Sequence, residues 1–328
     1  VGTQKLDIGI SGDKIAAIGT DLAEGDAKQI LDATGRCVFP GAIDSHFHIG
    51  IYRPFAEDAV SESTSAASGG VTTILSYFRT GQDYLNKVGP LKEILPELVE
   101  ISEKSFLTDF VYHIACMTDE HIDEIEWLVS EGGVSTLKYY MFYKLLTLAG
   151  ATPEAKNYLM IDNAVDFGYF YRFMKEVSRV NKKYEKYGTV SMSVHCENPE
   201  IIQATMAEVK ANPSGIPMQY YSNARPPWQE ELAINEVAIM AHHTGCPVNL
   251  LHLSSEKAVA AGMDVAKRYP DDEFLLEGTL HHLGLSNDMD LPQSTKVNPP
   301  LRTDEDVDFL WKKAIDGDIK TVVSDHAC

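Results

Sequence analysis

The sequence predicts an α/β fold, a (β/α)8 barrel of the TIM type, on three observations. Short β-branched and apolar runs recur near 37–46, 70–77, 108–116, 134–142, 189–195, 248–252, 273–277 and 320–325. Runs of this kind read as strands buried on both faces, as in a parallel sheet. Amphipathic stretches of helical length lie between them, such as 230–243 and 304–315, and repeated strand–helix alternation is the pattern of parallel α/β folds. Residues able to bind a metal stand at the ends of five of these runs, where a (β/α)8 barrel gathers its reactive groups.

Taken in order, residues 1–36 precede the barrel and are rich in strand signals. Gly12-Asp13 marks a hairpin turn before Lys14-Ile15-Ala16-Ala17-Ile18. The first barrel run, Cys37-Val38-Phe39-Pro40-Gly41-Ala42-Ile43, leads into His46-Phe47-His48. Two imidazoles one residue apart on a strand share a face, and neutral imidazole is a common metal ligand. The runs near 70–77 and 108–116 supply the second and third strands. Lys138 lies in the fourth, Gly133 to Met141; His195 ends the fifth, His252 the sixth and Asp325 the eighth. A single histidine at a strand end is more often an ordinary hydrogen-bonded residue, and Lys138 alone reads as a snorkelling or buried lysine. The argument for a metal rests on the ordered set of six.

Other histidines read differently. His242-His243 suits the polar side of a helix. For His281-His282, one ring faces a pocket and the other the core, and His326 either supports Asp325 or packs. Cys196 adjoins His195 but points to the opposite face of its strand.

Pro40-Gly41-Ala42-Ile43-Asp44-Ser45-His46-Phe47-His48 resembles the opening signature of the amidohydrolase superfamily. Val194-His195-Cys196-Glu197-Asn198, Ala224-Arg225-Pro226-Pro227, Leu251-His252-Leu253-Ser254-Ser255, Asn298-Pro299-Pro300-Leu301-Arg302 and Ser324-Asp325-His326 follow in order. They are similar to segments of its cyclic-amidase branch, which includes hydantoinase, dihydropyrimidinase, allantoinase and dihydroorotase. The resemblance covers nearly the whole chain.

It implies two divalent metal ions, of which zinc suits the ligand types best, with manganese, cobalt or iron as alternatives. His46, His48 and Asp325 would hold one ion, and His195 and His252 the other. Lys138 would bridge them as N6-carboxylysine, the carbamate formed with carbon dioxide, because an ammonium offers donors only. The resemblance further implies a small cyclic amide substrate opened by a metal-activated hydroxide. Asp325 would carry the proton from the nucleophile to the leaving nitrogen. Tyr143, five residues after Lys138, would hold the developing oxyanion, and Asn298 would grip the ring. The ordinary alternatives are aromatic packing for Tyr143 and a turn with a local side-chain bond for Asn298.

Departures from the family pattern leave the ring open. Asn298 to Arg302 and His281-His282-Leu283 resemble dihydroorotase more than hydantoinase. Dihydroorotases usually place an arginine directly after the His-X-His-Leu stretch. Here Ile49-Gly50-Ile51-Tyr52 intervene before Arg53. The Lys138–Tyr143 spacing favours the hydantoinase side. The aromatic run Phe167-Gly168-Tyr169-Phe170-Tyr171 either shapes the pocket mouth or packs at a subunit contact. A hydantoin or dihydropyrimidine type of ring is the preferred substrate. Dihydroorotase-like chemistry, or hydrolysis of an unusual cyclic imide or carbamate, is the alternative, and a non-catalytic scaffold on the same fold is the third reading.

The formal charge of −20 and pI near 4.9 argue against nucleic acid and acidic membranes, which call for basic patches. No apolar run reaches membrane-spanning length and no secretory signal opens the chain. Five scattered cysteines read as reduced thiols of a cytoplasmic protein. The resemblance implies a homo-oligomer, dimer or tetramer. It also divides the chain at 36: residues 1–36 would be part of a small, incompletely covered β-sandwich, and residues 37–328 the barrel. Both ends are expected to continue in a longer protein.

Overall fold

The computed structural model describes residues 3–22, 25, 27–81, 84–141, 166–213 and 215–327. It divides into two units, Val1–Pro40 and Gly41–Cys328. In the first, β1 (Asp7–Ser11) and β2 (Lys14–Gly19) form an antiparallel hairpin. Its turn places Gly12 at φ 63°, a left-handed conformation that glycine adopts without steric cost.

The second unit is built on a parallel sheet. β3 (Ala42–His48), β4 (Val71–Arg79), β5 (Asp109–Ala115), β6 (Thr136–Tyr140), β7 (Ser191–His195), β8 (Val248–Leu250) and β9 (Phe274–Thr279) pair in sequence order. The eighth strand position is broken in two. β10 (Thr321–Val323) runs parallel to β9, with Thr321 opposite Glu277. β11 (His326–Ala327) runs parallel to β3, with His326 opposite Phe47. One short segment therefore pairs with both ends of the sheet and closes it, and the break between its halves is where Asp325 stands.

Helices follow most strands. They are α1 (Phe55–Ser68), α2 (Leu91–Ser105), α3 (Asp119–Asp123), α4 (Ile125–Ser130), α5 (Phe167–Tyr184) and α6 (Pro199–Ala211). α7 (Pro217–Asn223), α8 (Pro227–Thr244), α9 (Glu256–Arg268), α10 (Leu280–Gly284) and α11 (Asp304–Asp316) complete the described set. β6 shows how the layers are sorted. Leu137 and Tyr139 join the core between sheet and helices, whereas Lys138 and Tyr140, on the opposite face, turn into the barrel.

Two expectations change. The first strand begins at Ala42, and Val38 and Phe39 lie exposed before it. Pro40 lacks a ladder donor, and Gly41 lies so close to Thr72 that an added Cβ would come within 2.2 Å of its side chain. The aromatic run at 167–171 opens α5. Asp166 caps the helix by accepting from the Tyr169 amide at 2.8 Å, Phe170 stacks on Tyr139 with ring centroids 3.9 Å apart, and the Tyr169 hydroxyl donates to the Cys116 carbonyl at 2.8 Å. Phe170, Phe173, Met174, Val177 and Val180 are buried, following the period of a helix face turned to the core.

Candidate metal centre

The barrel brings His46, His48, Lys138, His195, His252 and Asp325 to the C-terminal ends of its strands. Asp325 Oδ1 lies 3.0 Å from His46 Nε2 and 3.2 Å from His48 Nε2. The His252 ring is 5.4 Å from that of His46 and 4.3 Å from that of His195. Lys138 Nζ sits over two rings, 4.2 Å from the Tyr77 centroid and 4.5 Å from the Tyr140 centroid. Tyr77 in turn meets His46 edge-on and stacks on His48, at 4.5 and 5.3 Å. Tyr140 in turn lies 6.4 Å from the His195 ring, so the two tyrosines that flank Lys138 face the β3 histidines and His195.

Two of these residues carry backbone strain. His252 and Asp325 adopt φ of 38° and 50°, values uncommon outside glycine and costing on the order of 1–3 kcal/mol each. Fixed contacts hold them there. Glu277 Oε1 accepts from the His252 amide at 3.3 Å, and Asp44 Oδ1 accepts from the Ser324 amide at 3.2 Å.

The electrostatics suit cation binding. Burial lowers His48 and His195 to about 4 and His252 well below its ordinary value, so their imidazoles are neutral near pH 7, the form that donates to a metal. For His46, burial alone would lower the pKa, but Asp325 and Glu277 outweigh it and raise it. Burial would raise Asp325, yet the charge and hydrogen bonds of His46 and His48 hold it well below the carboxylate range. Lys138 is pulled down by burial to about 7.

Two observations test whether these residues fit a divalent cation. His46, His252 and Asp325 each offer one donor atom, all within 4.8 Å of one another. The buried Nδ1 of His252 has no hydrogen-bond partner among the described residues, an expensive arrangement unless another group occupies it. Imidazole and carboxylate donors of this kind fit zinc and related ions.

Several supporting residues carried no assigned role in the sequence. Glu277 is fully buried, and its Oε1 lies 2.7 Å from His46 Nδ1. That contact orients the ring so that Nε2 faces Asp325. The signal was a carboxylate closing the apolar run of the seventh strand. Glu197 does the same for His195, with its Oε2 2.8 Å from Nε2. It also accepts from Arg225 Nη1 at 2.5 Å and Gln229 Nε2 at 3.1 Å. A second buried pair joins Arg302 Nη2 to Glu230 Oε2 at 2.6 Å, and Ser254 Oγ donates to the same oxygen at 2.6 Å. Much of the motif set 197, 225, 254 and 302 therefore builds a buried ionic frame behind the histidines.

The remaining candidates separate. Asn298 is half-buried, and its Oδ1 accepts from the Tyr221 hydroxyl. Tyr143 lies outside the described residues. His282 is buried, with Nε2 3.1 Å from the Pro299 carbonyl, while the charge of Asp325 acts on His281. His326 turns to Glu62, Nε2 to Oε2 2.7 Å, and His242 pairs with Asp272 at 2.8 Å on the surface. Arg53 lies 3.1 Å from Glu62 and 3.6 Å from Asp58. Cys196 is buried in the core cluster.

No family model matches the chain. It is 28% identical over 340 residues to an allantoinase of Bacillus licheniformis, covering 99% of this chain and 67% of that protein. It is 29% identical over 327 residues to an allantoinase of Escherichia coli, covering 98% of this chain and 66% of that protein. Among solved structures, the L-hydantoinase (dihydropyrimidinase) from Arthrobacter aurescens superposes with a TM-score of 0.80 at 25% identity, over 98% of this chain and 66% of that one. The chain spans about two thirds of the length of these relatives. Barrel, strand-end residues and relatives agree, and the chain is similar over nearly its whole length to allantoinases and hydantoinases, hydrolases of cyclic amides.

Proposed function

We propose that this protein is a binuclear metal-dependent hydrolase that opens a cyclic amide ring of the hydantoin or dihydropyrimidine type. The observation that carries the reading is the grouping of donor atoms of His46, His252 and Asp325 within 4.8 Å of one another, with His48 on Asp325 and His195 beside His252. His46, His48 and Asp325 would hold one ion and His195 and His252 the other, with zinc best suited to the donors. When bound, two such ions supply Lewis acidity and lower the pKa of water.

The chain's own residues do the rest. Asp325, ionised and aimed at His46 and His48, takes a proton from the attacking water and returns it to the leaving ring nitrogen. Glu277 and Glu197 hold the two histidine rings in one orientation each. The buried Lys138 amine, brought to about 7, is available in its neutral form to add to carbon dioxide. A nitrogen–carbon bond forms, one carbon–oxygen π bond opens and a proton leaves to solvent, giving an anionic carbamate that would serve the ions as an oxygen ligand. Tyr143 is assigned to the oxyanion, at roughly 3 kcal/mol of barrier, and Asn298 to the ring. The barrel unit is taken to start near residue 37. The names of the allantoinase and hydantoinase relatives support the ring class.

We also place the protein in the cytoplasm as a homo-oligomer, a tetramer by resemblance; the free thiols of Cys37, Cys116, Cys196 and Cys246 support a reducing compartment. Among the described residues, no helix is long and apolar enough to cross a membrane.

Elemental analysis of the full-length protein, beside Lys138→Ala and His195→Ala, tests the reading. About two metals per chain, falling sharply in both variants, together with opening of at least one ring in a panel of cyclic amides, is the expected result. A protein that stays metal-free after metal and bicarbonate are supplied is a scaffold and not a hydrolase.

A further inference from the structure

We propose that Arg225, Lys296 and Tyr221 form an anion-binding subsite beside the metal centre, built to take a carboxylate substituent on the ring substrate. The inference rests on the hydrolase reading only in taking the anion to be part of the substrate.

Arg225 is 1% exposed. Its Nη1 is committed to Glu197, but its buried Nε and Nη2 have no hydrogen-bond partner among the described residues. Buried guanidinium donors are rarely left unmade, because water has been given up for nothing. The guanidinium lies 5.6 Å from the centroid of Tyr221, and the Lys296 ammonium lies 4.6 Å from the same ring. Two cations therefore share one aromatic ring, with Arg225 buried and Lys296 reaching solvent. Burial, and then the charge of Arg225, lowers the Lys296 pKa, as expected for neighbouring cations drawn partly out of water.

The charges do not balance. Glu197 faces Arg225 but is shared with His195. Among the described residues, Lys296 has no carboxylate within ion-pair distance, whereas Arg53 and Arg302 have theirs. The Tyr221 hydroxyl donates to Asn298 Oδ1, which leaves the Asn298 amide nitrogen as a further donor. Guanidinium, ammonium and amide nitrogen offer donors, and a carboxylate accepts only, so the two sets are complementary. In a chain of formal charge −20, attraction of an anion has to come from such a local concentration of positive charge. Glu197 links Arg225 to the back of the His195 ring, and the segment carrying Lys296 and Asn298 continues to Pro299, whose carbonyl meets His282 at 3.1 Å.

Uracil and orotate, the same ring without and with a carboxylate, are the probes. Calorimetry on the full-length, metal-loaded protein is expected to show orotate bound at least about ten-fold more tightly than uracil, the order of one charge-assisted contact. Lys296→Met brings the two within about two-fold of each other, Lys296→Arg restores the preference, and uracil binding stays constant throughout. Equal or undetectable binding of both probes by the wild type overturns the subsite, as does a Lys296→Met loss shared by uracil. Turnover of the ring panel is read separately. A protein that prefers orotate but opens no ring keeps the subsite and loses the hydrolase reading. One that opens neutral rings without the preference does the reverse.

Discussion

At the residue scale, the decisive contacts are those that leave each ring one orientation. His46 has Glu277 on Nδ1 and Asp325 on Nε2, so the nitrogen aimed at the centre is set by a carboxylate on the far side of the ring. Supporting carboxylates of this kind are worth about 10–100-fold in metal affinity. Glu277→Gln, which keeps shape and removes charge, is expected to weaken metal binding by about that factor in competition with a chelator. An unchanged affinity would remove Glu277 from the support of His46.

At the element scale, the strands place the site and the helix ends hold the strands. α11 precedes β10 and the Asp325 break. Its start is a capping box in which the Asp306 amide donates to Thr303 Oγ1 at 3.3 Å and the Thr303 amide donates to Asp306 Oδ2 at 3.3 Å. Only Leu310 of this helix is fully buried, so the cap carries a large share of its local stability. Thr303→Ala is expected to cost about 1 kcal/mol in urea unfolding while leaving metal content unchanged. A loss of metal at unaltered stability would show instead that the cap reports to the site.

At the scale of the whole molecule, the buried frame makes stability depend on pH. Burial alone would raise Glu197, but the Arg225 charge and the His195 hydrogen bond outweigh it and hold Glu197 at about 2, against 4.5 for a free carboxyl. A carboxyl with a depressed folded pKa stabilises the protein above the unfolded value, and that contribution is lost as pH falls through the folded one. The window runs from about 4.5 down to 2, and the loss is on the order of 3 kcal/mol. Glu197→Gln should flatten that stretch of the stability curve in urea titrations. It should also destabilise the protein at pH 7, because Arg225 is then buried without its counter-charge. A variant whose acid profile overlays the wild type places the pH dependence elsewhere.

The barrel was legible in the sequence, because an alternation of buried strands and amphipathic helices is written in local hydrophobic pattern. The metal-binding residue types at strand ends were legible too, since a strand end is a one-dimensional property. Three things were decided only in three dimensions. The split of the eighth strand at Asp325 depends on two neighbours far away in sequence, β9 and β3. The orienting roles of Glu277 and Glu197 depend on which face of which strand each one meets. The pairing of Arg225 with Lys296 over Tyr221 joins residues more than 70 positions apart in the chain. A charged residue in isolation reads as solvated surface. Only packing shows which charges have been taken out of water and which of those are still short of a partner.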